Sequence, residues 1–194
     1  MTPRDFALIA QEAYTAKPDI GDEDSASRAI VRQTESGLVV AFPGSDNLEC
    51  WLHDFDADLV NVPGIGDVHD GFWKAWKAIS VDVLAAIAGR PVTLVGHSLG
   101  GAIALLAAAD MSASGNFPTA VYGFEPPRVC RGLGVRALLA NVPVRLYKNG
   151  NDIVPDLPPG LDHGGLLMHI GHAALPIPNT IDHELARVTA ALPA

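Results

Sequence analysis

Residues 91–101 read Pro91-Val92-Thr93-Leu94-Val95-Gly96-His97-Ser98-Leu99-Gly100-Gly101. A short apolar run leads into Gly-x-Ser-x-Gly, and an apolar helix candidate, Ala102 to Asp110, leads straight out of it. Such a strand–turn–helix elbow lifts a serine hydroxyl clear of a sheet edge. Gly96 and Gly100 allow a strained backbone and a strand–helix approach closer than β-carbons permit. A helix starting just after Ser98 adds backbone N–H groups and a positive dipole end where an oxyanion would form. Gly-x-Ser-x-Gly alone is a weak pattern that also occurs as a plain tight turn. Its flanks here make Ser98 the candidate nucleophile.

Upstream, Phe72, Trp76, Ile79, Val83 and Ile87 recur at helical spacing with Gly89 just beyond, which predicts an amphipathic helix with a glycine stop. Ala29–Arg32 and Leu38–Phe42 read as strands of a hairpin around Glu35-Ser36-Gly37, and Phe6, Ile9, Ala10 and Ala13 as a first helix. Asp46 to Asp58 is a mixed polar–aromatic stretch, followed by a loop rich in Pro63, Gly64 and Gly66. Downstream, Ala120–Phe124, Val144–Lys148 and Leu166–Ile170 are strand candidates, with helices around Val135–Ala140 and Asp182–Leu192. Strands alternating with helices predict an α/β fold: one domain over residues 1–194, its mostly parallel central sheet covered by helices on both faces.

At 194 residues the chain can bury one substantial core. A composition of 48% hydrophobic and 18% charged residues fits a globular enzyme. A net charge of −9 excludes nucleic acid as a partner, since phosphate binding needs clustered Lys and Arg. It also disfavours tight docking on anionic membranes. No apolar run approaches the ~18–20 residues of a bilayer span. Arg4, Asp5 and Glu12 interrupt any apolar core in Met1 to Ala16, so no secretory leader is read there. A cytoplasmic product is the default expectation, beside release by lysis or a leader already removed. Cys50 and Cys130 lie in no CxxC and are expected to be free, structural thiols.

A serine needs a histidine to take its proton, and the histidine needs a carboxylate to hold its tautomer. In α/β-hydrolases both follow the serine in the order acid, then histidine. The acid candidates are Glu125, Asp152, Asp156 and Asp162, and Asp152 is best placed, just past the strand ending at Lys148. Its other reading is an ordinary Asx-type turn residue. His163, His169, His172 and His183 follow, and spacing leaves the choice open. His183 is favoured because the chain turns there into the final helix, whereas His169 reads as a core residue of an apolar strand. The second oxyanion donor, beside the Leu99 N–H, would come from Ser45 at the end of the Leu38–Phe42 strand. Gly44-Ser45 also fits a plain strand-ending turn. Asp54-x-Asp56-x-Asp58 opens like a calcium loop, but Leu59 and Ile65 stand where that loop needs Gly and Glu. No His-x-x-x-His pair supports zinc. Neither a metal nor an organic cofactor is expected.

Assembled in order, these segments resemble the class 3, fungal-lipase-like branch of the α/β-hydrolases. The resemblance runs from Val39-Val40-Ala41-Phe42-Pro43-Gly44-Ser45 and Trp51-Leu52-x-Asp54, through Val68-His69-x-Gly71-Phe72 and Gly96–Gly101. It continues through Tyr122-Gly123-Phe124-x-Pro126-Pro127-Arg128-Val129 and Asn151-Asp152-Ile153-Val154-Pro155 to Asp182-His183. Pro43 and Cys130 depart from it, standing where the family usually has arginine and glycine. The resemblance implies Ser98 as nucleophile, Asp152 as acid and His183 as base, with Ser45 and Leu99 forming the oxyanion hole. It implies structural roles for His69, His97 and His169. Residues 46–58 match a lid, whose Leu48, Trp51, Leu52 and Phe55 would touch substrate. The implied activity is hydrolysis of acylglycerols or related lipid esters, with transient contact at a lipid–water interface. A soluble short-chain carboxylesterase and a catalytically silent binding scaffold are the alternatives.

Overall fold

The structure is a computed structural model and describes residues 1–45 and 58–193. The first helix, α1 (Pro3–Thr15), starts at a capping box: Thr2 Oγ1 accepts the Asp5 N–H, and the Asp5 carboxylate accepts the Thr2 N–H. Its Phe6, Ala7, Ala10 and Ala13 are buried, the face its spacing predicts. Next come β1 (Ile20–Gly21), β2 (Arg28–Thr34) and β3 (Gly37–Phe42). The β2–β3 pair is the expected antiparallel hairpin, joined through Thr34 and Gly37.

Beyond residue 57 the chain forms β4 (Leu59–Val62), β5 (Gly66–His69) and the long α2 (Asp70–Ile87). The loop expected around Pro63-Gly64 is therefore a hairpin turn. β4, β5 and β8 (Cys130–Arg131) make a small antiparallel sheet of three strands. The helix stop falls one residue early, because Ala88 itself takes the left-handed cap at φ 50°. Then follow β6 (Val92–His97), α3 (Leu99–Ala113), β7 (Ala120–Phe124), α4 (Gly134–Leu138), β9 (Val144–Asn149), β10 (Leu167–Ile170) and α5 (Leu185–Ala191).

The main sheet has seven strands in the order β1-β2-β3-β6-β7-β9-β10, parallel from β3 to β10. Period-two alternation divides its side chains between two cores. Leu38, Val40, Phe42, Val92 and Leu94 face α2 and α3, while Val39, Ala41 and Val95 face α1 and α5. α3 is apolar all round and almost wholly buried, as a helix between sheet and outer helix must be. The architecture is that of an α/β-hydrolase. β6 is central, and its C-terminal end delivers Ser98.

Candidate active site

At the end of β6 the backbone reverses through Ser98, whose φ of 55° and ψ of −127° lie outside the helix and strand regions. Two close approaches make this turn available. A β-carbon on Gly96 would sit 2.1 Å from the Gly100 carbonyl oxygen, and one on Gly100 would sit 2.0 Å from that of Phe42. Both glycines are thus required by contact. The Ser98 N–H donates to the Phe124 carbonyl (2.9 Å), tying the turn to β7, and Leu99 opens α3 immediately after it. Gly44 passes so near that a β-carbon there would lie 2.9 Å from Ser98 Cβ. Half-buried Ser45 follows, at the rim of the turn.

Asp152 and His183 meet although 31 residues separate them: His183 Nδ1 donates to Asp152 Oδ2 at 2.6 Å, and both side chains are buried. Their loops are zipped together by backbone bonds, Ile153 N–H to Asn179 O (3.1 Å) and Asn179 N–H to Asn151 O (3.0 Å). Asp182 anchors the zipper, accepting from the N–H groups of Asn151 and Ala174 and from Asn179 Nδ2. Burial alone would raise the Asp182 carboxyl, but these donors hold it below its ordinary value. The Val154 N–H donates to Asp152 Oδ1 (3.0 Å). Asp152 is likewise pushed up by burial and brought net down, chiefly by its bond to His183.

His183 also packs against His97, the residue before Ser98, with ring centroids 4.5 Å apart. His97 Nε2 donates to the His183 carbonyl (2.9 Å), and His97 Nδ1 accepts from the Tyr14 hydroxyl (2.6 Å). Burial, then the neighbouring His183, push His97 down to about 3, so it is a neutral structural ring. His183 Nε2 is buried and has no hydrogen-bond partner among the described residues. A base with its outer nitrogen unoccupied, its inner nitrogen held by a carboxylate and its backbone tied to the elbow can accept a proton.

The other candidates serve elsewhere. His163 bonds the Pro155 carbonyl through Nε2, and His172 is exposed. His169 is exposed too, correcting its reading as a core residue: β10 is an edge strand, so an outward position there meets solvent. His69 caps α2 by accepting the Phe72 N–H. Asp156 pairs with Lys148 (2.6 Å), and Asp162 accepts the Gly132 N–H (2.8 Å). Cys130 is buried and free, its thiol pushed up to about 12 by burial and then by Asp162. The expected lid contacts Leu48, Trp51, Leu52 and Phe55, with Cys50, Asp54 and Asp56, lie outside the described residues. Glu125, an alternative acid by its place in the sequence, is a second buried carboxyl beside Asp152. One ligand atom from each of Glu125, Asp152 and His183 lies within 4.8 Å of the others. The set fits a metal poorly, because Asp152 and His183 already direct their atoms at each other through the 2.6 Å bond. Tyr14 gave no signal in the sequence beyond its place at the end of a helix.

Residues 39–161 match the family model for lipase (class 3). The chain belongs to the class 3 lipases. Among relatives, it is 34% identical over 146 residues to secreted mono- and diacylglycerol lipase A of Penicillium camembertii, covering 70% of this chain and 47% of that one. It is 30% identical over 169 residues to secreted mono- and diacylglycerol lipase 1 of Fusarium solani, covering 80% and 48%. This class 3 lipase chain spans about half the length of the curated relatives it matches. It superposes on Rhizomucor miehei triacylglyceride lipase with a TM-score of 0.70 at 25% identity, over 86% of this chain and 78% of that one. The lipase from Rhizopus microsporus var. chinensis shares the fold, with a TM-score of 0.72 at 18% identity over 93% and 84%. The cytoplasmic default is corrected by these comparisons, since relatives from several fungal genera are secreted lipases. It rested on the polarity of Met1 to Ala16, but α1 is a packed helix of the fold and carries no information on export.

Proposed function

We propose that this chain is a single-domain serine hydrolase of carboxylic esters, acting extracellularly on acylglycerols or related lipid esters, in keeping with its secreted relatives. The observation that carries the reading is the buried Asp152–His183 bond of 2.6 Å, with His183 Nε2 unoccupied and the histidine packed on the residue before Ser98. Ser98 Oγ attacks the ester carbonyl carbon as His183 Nε2 takes its proton, and Asp152 stabilises the imidazolium. The Leu99 and Ser45 N–H groups receive the oxyanion; losing one such donor typically costs ~10²–10³ in turnover. The tetrahedral adduct collapses, and the alcohol leaves with the proton from His183. Water then gives a proton to His183 and attacks the acyl-enzyme, and as the acyl–oxygen bond breaks His183 returns that proton to Ser98 Oγ, releasing the acid.

A fluorophosphonate probe should label Ser98 alone, mapped by mass spectrometry. Ser98→Ala should lose both labelling and hydrolysis of p-nitrophenyl butyrate while keeping its thermal midpoint. Turnover retained by Ser98→Ala would refute the assignment. Diacylglycerol hydrolysis that jumps above the substrate's solubility limit supports a lipase; smooth saturation with short esters only would instead define a carboxylesterase.

A further inference from the structure

We propose that Glu125 is a positioning residue: a neutral carboxylic acid whose Oε2–H donates to the carboxylate of Asp152 and so holds the aspartate in its bond to His183. This rests on the proposed role of Asp152 and adds a second carboxyl to it. The geometry begins with the backbone. Glu125 directly follows β7 at φ 52°, in the left-handed region that side-chain-bearing residues avoid, and its side chain is 0% exposed. Its N–H donates to the Tyr147 carbonyl (2.9 Å), and its Oε1 accepts the Asn149 N–H, so the side chain is pinned against the end of β9. A strained residue held at both ends has little freedom to turn its remaining oxygen elsewhere.

That oxygen, Oε2, is buried and has no donor to accept from among the described residues. An anionic Glu125 would leave it unsatisfied in a carboxylate that brings one oxygen within 4.8 Å of ligand atoms of Asp152 and His183. A proton on Oε2 removes both problems, since it relieves the repulsion and supplies a donor for Asp152. Two buried carboxyls this close share one negative charge, and the proton rests on the acid with fewer donors. Asp152 receives Val154 N–H and His183 Nδ1–H, whereas Glu125 receives only Asn149 N–H. Burial, and then the bond and charge of Asp152, push Glu125 well above the carboxylate range, against the pull of Lys148. Lys148 is itself engaged with Asp156. Among the described residues, the charged and titratable groups around the pair are thus Lys148 and His183, with His97 beyond as a neutral ring.

A neutral donor on Asp152 fixes the carboxylate plane and draws density from it, so Asp152 orients His183 without taking its proton. Removing that donor makes Asp152 the stronger acceptor, raises the imidazolium's stability and moves the acidic limb of kcat/KM to higher pH. Infrared difference spectroscopy at pH 7 should show the carbonyl stretch of a protonated carboxyl in wild type and Ser98→Ala, absent from Glu125→Gln. A missing band in wild type, or one that survives in Glu125→Gln, overturns the proposal. In ester hydrolysis, Glu125→Leu should lose at least about tenfold in kcat and shift the acidic limb upwards. Glu125→Gln, whose amide still donates to Asp152 and accepts from Asn149, should restore most of the rate and the wild-type limb. Equal behaviour of the two variants overturns it. If Glu125→Leu does not fold, the band and Glu125→Gln decide. If wild type resists the fluorophosphonate probe, the hydrolase reading fails while the infrared band still reports on Glu125.

Discussion

Replacing Asp152 by asparagine changes one atom, and the structure dictates how that atom acts. Oδ1 accepts the Val154 N–H at 3.0 Å, and Oδ2 accepts His183 Nδ1–H at 2.6 Å. An asparagine keeps its carbonyl towards Val154, because an amide NH2 there would set two buried donors against each other. Its NH2 then faces His183 Nδ1, which must become an acceptor, so the proton moves to Nε2 and the base is lost. Flipping the amide recovers the useful tautomer but leaves an unsatisfied buried donor, at a cost of about 1–3 kcal/mol. The transition state also loses a charge-assisted bond to the imidazolium, worth about 1.5–3 kcal/mol. Together these predict a fall of about 10²–10⁴ in kcat at ~1.36 kcal/mol per tenfold. The assay is p-nitrophenyl butyrate turnover, measured beside thermal unfolding to show that the variant is folded. Glu12→Gln, which loses a surface pair with Arg32, should stay within about twofold of wild type. Less than a tenfold loss in folded Asp152→Asn would refute the reasoning about the tautomer.

Two further predictions concern stability. Gly100→Ala drives a β-carbon to 2.0 Å from Phe42 O and 2.6 Å from Pro43 O, both backbone atoms that cannot yield. It should cost about 3–5 kcal/mol and lower the thermal midpoint by roughly 6–20 °C. Gly64→Ala meets nothing within 4 Å and bears only the strain of φ 82°, about 1–2 kcal/mol, so equal losses would defeat the steric account. His97 titrates near 6.5 when unfolded and at about 3 when folded, so the unfolded state binds the extra proton. Its stabilisation is complete above pH 6.5 and declines towards pH 3, by up to ~1.36 kcal/mol per unit. Asp152 and Asp182, held low, lose theirs only below about 3.8. Between pH 6.5 and 4.5, urea unfolding therefore reads the losses of His97 and of the lowered His163 against a gain from Glu125, whose raised folded value favours the folded state as pH falls. His97→Asn should be less stable at pH 7 yet show a shallower decline; an unchanged slope would show that His97 is not the titrating group.

The parts legible in the sequence are those where one local rule fixes a long-range consequence. A continuous apolar strand ending in Gly96-His97-Ser98 can belong only to the sheet centre, and Gly100 allows the helix to return across Phe42. The meeting of the Asp152 and His183 loops follows from strand order, because a parallel sheet gathers the loops that follow its strands at one edge. The β4–β5–β8 sheet was hidden for the opposite reason. Its strands are two to four residues long, and Cys130–Arg131 pairs with Asp67–Val68 across a wide stretch of chain. His169 misled because its apolar neighbours signal a strand but not whether anything packs over the sheet face it lies on.

Glu125 marks the limit most clearly. Sequence offers a carboxylate after a strand, and by default a carboxylate is an anion exposed to solvent or a catalytic acid. Its chemistry here follows from three facts that only folding supplies: a left-handed backbone, complete burial and a second carboxyl already engaged by a histidine. Each facing element contributes one of the constraints. β7 aims the residue, β9 supplies the N–H that holds Oε1, and the Asp152 loop supplies the competing charge. Because the same hydrogen-bonded set would orient His183, the aspartate's neighbours are as much a part of the base as its own nitrogen. A serine at the elbow becomes reactive only when that whole arrangement is in register.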